Sequence, residues 1–78
     1  MIWYHGTTKE SANIIRKCNY FKEGTWFARH LEDAVEFGGS YIFAIEIRFK
    51  THKWQVCCSN KISTDKIIKT YWVREEKA

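Results

Sequence analysis

A chain of 78 residues has room for one hydrophobic core and no second domain, so residues 1–78 read as a single unit. A hydrophobic content of 45% with 17% aromatics excludes a disordered polymer, while a net charge of +4 is too modest to define a polyanion binder. The longest apolar run, 41–45, is far too short to cross a bilayer, and the opening residues lack a basic-then-apolar leader.

Three cysteines, two of them adjacent (Cys18, Cys57 and Cys58), make a poor disulfide framework and predict reduced thiols. Together these features predict an intracellular, cytoplasmic protein with no membrane contact. No His or Cys spacing resembles a metal site.

In chain order, residues 2–5 are rich in β-formers and predict a short strand. Thr7 and Glu10 have the spacing of a capping box. The apolar residues Ala12, Ile14, Ile15 and Cys18 then predict an amphipathic helix over 8–18. Residues 19–23 read as a loop, and Gly24 turns the chain into a second short strand over 25–28.

Leu31, Ala34 and Val35 recur at helical spacing, with Glu32 and Asp33 in the first turn, where the helix dipole favours acids. The pair Gly38-Gly39 ends this second helix. From 40 to 49, Tyr41, Phe43, Ile45, Ile47 and Phe49 alternate with other residues, predicting a long strand with one buried face. Residues 51–53 read as a turn and 54–58 as a strand. Residues 61–66 read as polar and irregular, 67–73 as a final strand, and 74–78 as a charged tail. The order βαβαβββ predicts an α+β domain.

Two segments carry chemistry. In Tyr4-His5-Gly6-Thr7-Thr8, a titratable ring sits beside a glycine, so backbone can approach a ligand that the imidazole hydrogen-bonds. In Gly24-Thr25-Trp26-Phe27-Ala28, a glycine turn leads into two aromatics. These must face opposite sides of a strand, so one of them is core. Together the segments predict a pocket for a flat heteroaromatic ligand.

The sequence of strand, His5-Gly6, helix, Gly24-Thr25-Trp26-Phe27-Ala28, and a short helix ending in Phe37 resembles the ADP-ribosyltransferase superfamily. The likeness is to its diphtheria-toxin and poly(ADP-ribose) polymerase-like branch, which carries a His-Tyr-Glu triad. It covers residues 2–49 by motif and the rest by strand pattern. The resemblance implies a split β-sheet with two short helices and a cleft for NAD. His5 would bond the adenosine ribose, Gly6 would hold the nicotinamide amide by its backbone, Thr7 would be a further cofactor-binding residue, and Trp26 and Phe37 would sandwich the nicotinamide.

The chain departs from the family at the third triad position, where Gln55 stands in place of the catalytic Glu. Glu46, Glu75 and Glu76 do not fall at the usual place. The catalytic set implied is therefore His5, Trp26 and Gln55. Such a set permits two readings. One is an ADP-ribosyltransferase acting on a protein or nucleic-acid target. The other is an inactive module that binds NAD, ADP-ribose or a partner. A third reading, outside the family, is a small basic nucleic-acid-binding protein. Lys22 and Arg29 flank the pocket as solvated charges or phosphate partners. His30 and His52 read as surface residues.

Overall fold

The computed structural model describes residues 1–72, with Phe37 described by its backbone alone. The expected tail at 74–78, and the last residue of the expected final strand, lie outside the described residues. The elements run β1 (Ile2–Thr7), α1 (Lys9–Cys18), β2 (Tyr20–Phe21), β3 (Trp26–Ala28), α2 (Leu31–Gly38), β4 (Tyr41–Glu46), β5 (Gln55–Cys57), β6 (Ile62–Ser63), a 3₁₀ turn (Thr64–Lys66) and β7 (Ile67–Trp72). Five strands form one sheet in the order β5-β3-β1-β4-β7, and β2 pairs with β6 in a separate ribbon. Every pairing is antiparallel. This is a small α+β domain, as the sequence predicts.

The first strand runs two residues further than expected. Thr7 is held in the ladder opposite Tyr41, so it is not free to cap the helix that follows. Thr8 takes that role instead, its hydroxyl accepting the Ser11 N–H at 3.2 Å. The predicted Thr7–Glu10 box is thus replaced by a single N-cap bond at Thr8. At the other end Asn19 closes α1 in the left-handed region, with φ of 66°.

Strand alternation sends Trp3, His5 and Thr7 to one face of the sheet, and Tyr4 and Gly6 to the other. On the first face, Trp3, Phe21, Phe27, Phe43 and Ile45 make the main core with Ala12 of α1 and Ile62 of β6. Each large side chain buried there contributes about 1.5–3 kcal/mol. Trp3 Nε1 has no hydrogen-bond acceptor among the described residues, and Arg29 lies 5.5 Å above the same ring. On the second face, Ala28, Ala34 and Ile42 pack with Tyr4, Leu31, Val35 and Tyr71 beneath α2.

Two layers therefore cover the sheet. This corrects the expectation for the long apolar strand: Ile42 and Ala44 are buried along with Phe43 and Ile45, so both faces of β4 are covered. The strand also stops at Glu46 rather than at 49. The last laddered pair is Ile2 with Glu46, and just beyond it the Ile47 N–H donates to the Met1 carbonyl at 3.0 Å. Phe49 still packs edge-on against Trp3, with centroids 5.2 Å apart. On its other side β4 meets β7, whose register shifts at Ala44/Ile45, a bulge at the sheet edge.

Residues read as a loop at 19–23 and as irregular at 61–66 contribute the β2–β6 ribbon, Tyr20 opposite Ser63 and Phe21 opposite Ile62. Burial of Phe21 and Ile62 against the core holds it in place. Among the described residues no helix is long and apolar enough to cross a membrane.

Candidate functional site

Helix α2 lies so close to β1 that only glycine fits at position 6. A Cβ there would stand 1.9 Å from the Ala34 carbonyl oxygen, and one on Gly38 would stand 2.4 Å from the Gly6 oxygen. The glycine of the His5-Gly6 pair therefore has a packing reason of its own, besides leaving main chain open on its other side.

A cleft of about 770 Å³ opens where β1 ends and β3 begins. That volume lies within the range of small-molecule pockets, roughly 300–1,000 Å³. Its floor is His5, Gly6 and Thr7. One wall is a single face of α1, formed by Ser11, Ile14, Ile15 and Cys18 at spacings of three and four residues. Trp26 of β3 and Gln55 of β5 also line the cleft, and the rim carries Tyr20, Lys22, Gly24 and Thr25.

The rim is a built turn. The Lys22 carbonyl accepts both the N–H of Thr25 at 3.3 Å and its hydroxyl at 2.6 Å. Gly24 sits at φ +87°, the conformation a type II turn requires at its third position. The turn is tied to the chain after β5, with Gly24 N–H donating to the Cys58 carbonyl at 2.8 Å and Cys58 N–H to that of Thr25 at 2.9 Å. The Cys58 thiol adds a contact of 3.3 Å to the Lys22 carbonyl. Cys18, Cys57 and Cys58 are all free thiols.

His5 is set by two constraints. Its Nδ1 lies 2.8 Å from the Trp26 carbonyl oxygen, which can only accept, so Nδ1 carries the proton. Its ring packs against Phe21 and Phe27, each with centroids 5.6 Å away. Burial among these rings pushes the imidazole below its ordinary 6.5, against the opposing effect of the Trp26 hydrogen bond. Neutral His5 therefore leaves Nε2 as a lone-pair acceptor for a ligand hydroxyl or amide.

Of the two aromatics, Phe27 is fully buried and Trp26 is 52% exposed on the cleft. Trp26 pairs with Cys57 and Ala28 with Gln55, so Trp26 and Gln55 are diagonal neighbours on one face of the β3–β5 ladder, about 7 Å apart. Five of the residues singled out by sequence, His5, Gly6, Thr7, Trp26 and Gln55, thus line one cleft. The side chain of the sixth, Phe37, lies outside the described residues.

Arg29 is not on the cleft; its guanidinium covers Trp3. Glu46 lies at the opposite end of β4, where it meets the N-terminal ammonium of Met1. Among the described residues the cleft is lined by no carboxylate, and no three His, Cys, Asp or Glu gather into a metal site.

Sequence reasoning missed the α1 wall. It treated Ile14 and Cys18 with Ala12 and Ile15 as one core stripe, yet Ile14 is 61% exposed and faces the cleft. No protein-family model, curated protein or solved structure matches the chain.

Proposed function

We propose that the cleft binds NAD in the manner of the ADP-ribosyltransferase-like proteins whose motifs the sequence resembles, and that binding exceeds turnover. The observation that carries this reading is convergence. Residues from three separate segments (5–7, 26 and 55), chosen from sequence for one ligand, line one cavity of suitable size.

The chemistry of the lining agrees with such a ligand. The acceptor Nε2 of His5 suits a ribose hydroxyl, and the exposed indole of Trp26 offers a platform for a flat ring. Lys22 is the cation on the rim, and the described residues lining the cleft include no acid, Glu23 of the same turn not being among them. Breaking the nicotinamide–ribose bond is a harder task, because positive charge develops on the ribose and a fixed negative charge must stabilise it. Gln55 can orient a hydroxyl but carries no charge. Without that differential stabilisation, binding does not become rate enhancement.

The test is a titration of NAD, and separately of ADP-ribose, into isotope-labelled protein. The amides of His5, Gly6 and Trp26 are expected to shift with both ligands, and the response is expected to vanish in Trp26→Ala. Silence of all three amides up to millimolar ligand refutes the reading. If slow nicotinamide release accompanies binding, Gln55→Glu is expected to raise it, by up to about 10²-fold for a well-placed electrostatic group.

A further inference from the structure

The ribbon of β2 and β6 borders the cleft through Tyr20 and Lys22, and its charge is lopsided. Residues 16–24 and 61–66 hold five cations (Arg16, Lys17, Lys22, Lys61 and Lys66) against two acids (Glu23 and Asp65). That local excess of three makes up most of the chain's net charge of +4.

Continuing the register of Tyr20 with Ser63 and Phe21 with Ile62 sets Lys22 directly across from Lys61. Both are exposed. Like charges in such a position repel and destabilise the pairing. Neither is in an ion pair, since the one ion pair among the described residues is that of the N-terminal ammonium with Glu46. Lys61 Nζ instead rests 4.6 Å above the ring of Tyr20, a residue of the cleft, while Lys61 itself lines a smaller neighbouring pocket. From that pair of cations, the rim continues through the Lys22–Thr25 turn to the half-exposed indole of Trp26.

From this arrangement we infer that the rim is a docking surface for a single-stranded nucleic acid, with phosphates on Lys22 and Lys61 and a base on Trp26. Interleaved cations and an open aromatic face are what a sequence-tolerant single-strand site needs. An acidic peptide would use the lysines but leave the indole without a flat partner. A duplex keeps its bases stacked inside. The inference stands on the charge and ring positions and goes beyond the NAD reading.

The test is fluorescence anisotropy of a labelled oligothymidylate of about a dozen residues, followed between about 50 and 200 mM salt. Each phosphate contact on a single strand contributes about −0.7 to the slope of log affinity against log salt. Two contacts give about −1.4, a loss of about sevenfold over that range.

The variant Lys22→Gln/Lys61→Gln is expected to lower the magnitude of the wild-type slope by about 1.4, with an unchanged circular dichroism spectrum. Three outcomes overturn the inference. These are no binding at about 50 mM salt, the same slope in wild type and variant, and binding of a blunt duplex, heparin or anionic vesicles as tight as that of the single strand. Because the oligonucleotide is measured without NAD, and NAD without the oligonucleotide, either reading can fail while the other stands.

Discussion

Replacing Gly6 by alanine adds one methyl group at the most crowded point of the fold. The new Cβ would lie 1.9 Å from the Ala34 carbonyl oxygen and 2.8 Å from its carbon, where ordinary contact begins near 3.4 Å. Helix α2 would have to withdraw by roughly 1.5 Å, and no side-chain rotation can substitute, because both colliding groups are main chain. Withdrawal opens the contact among Ala28, Ala34 and Ile42, which are now completely buried. Overpacking of a core costs about 1–3 kcal/mol, and a backbone collision belongs at the top of that range.

For a domain of this size a cost near 3 kcal/mol lowers the melting temperature by about 12–24 °C. It removes a large part of a total stability of only about 4–12 kcal/mol. Thermal unfolding followed by circular dichroism measures the effect. The second variant, Gly6→Ala with Ala34→Gly, is expected to be no more stable, since the collision is with the carbonyl and not the methyl of Ala34. A loss below about 4 °C, or rescue by Ala34→Gly, would refute the reasoning.

Three further outcomes are expected. Burial holds His5 below its ordinary 6.5, so the unfolded chain binds a proton more readily than the fold. Stability from this group is complete above about 6.5 and declines as pH falls toward the lower folded value; His5→Gln should flatten that part of the stability–pH curve, and an unchanged curve would contradict it. NAD affinity should fall as pH drops through the lowered value of the folded His5, where Nε2 gains a proton and ceases to accept, whereas an affinity that stays constant while the His5 ring is seen by NMR to titrate would remove His5 Nε2 from the ligand's partners. Gly24→Ala meets no neighbour but forces alanine to a φ of +87°, so it should cost about 1 kcal/mol, with a drop of about 4–8 °C in melting temperature; a neutral effect would mean the Lys22–Thr25 turn relaxes freely.

The long periodic segments were legible because their patterns extend over several residues. The helix at 31–38 and the strand beginning at 41 are examples. What escaped notice was set by partners far away in sequence. Two-residue strands such as β2 and β6 show no period, and Tyr20 finds Ser63 only because Phe21 and Ile62 share a core. The burial of Ile42 and Ala44 depends on α2 lying over one face, which alternation within β4 cannot reveal.

In the cleft, His5, Trp26 and Gln55 were identifiable from local motifs and order. Ser11 and Ile14 were not, because membership of the cleft depends on how α1 rotates about its axis. That rotation is set by Ala12 and Ile15 packing against the sheet. Gly6 was singled out for the approach of a ligand, whereas the contact that demands glycine there comes from Ala34 on a helix the local motif does not contain.

The strand order β5-β3-β1-β4-β7 also bears on how the molecule comes into being. The strand synthesised first occupies the centre of the sheet, and both its neighbours emerge later. β3 can pair with β1 first, but Trp3 waits for its cross-strand partner Ile45 on β4, a delay of seconds at a ribosomal pace of about 5–20 residues per second. Non-local pairings of this kind also slow folding of the finished chain. The cleft is completed late, ahead only of β7, since Gln55 and the β6 strand that anchors Tyr20 come from the later half of the chain. A chain ending before Ile62 should therefore hold the cleft's histidine and indole without the β6 strand that anchors Tyr20 on its rim.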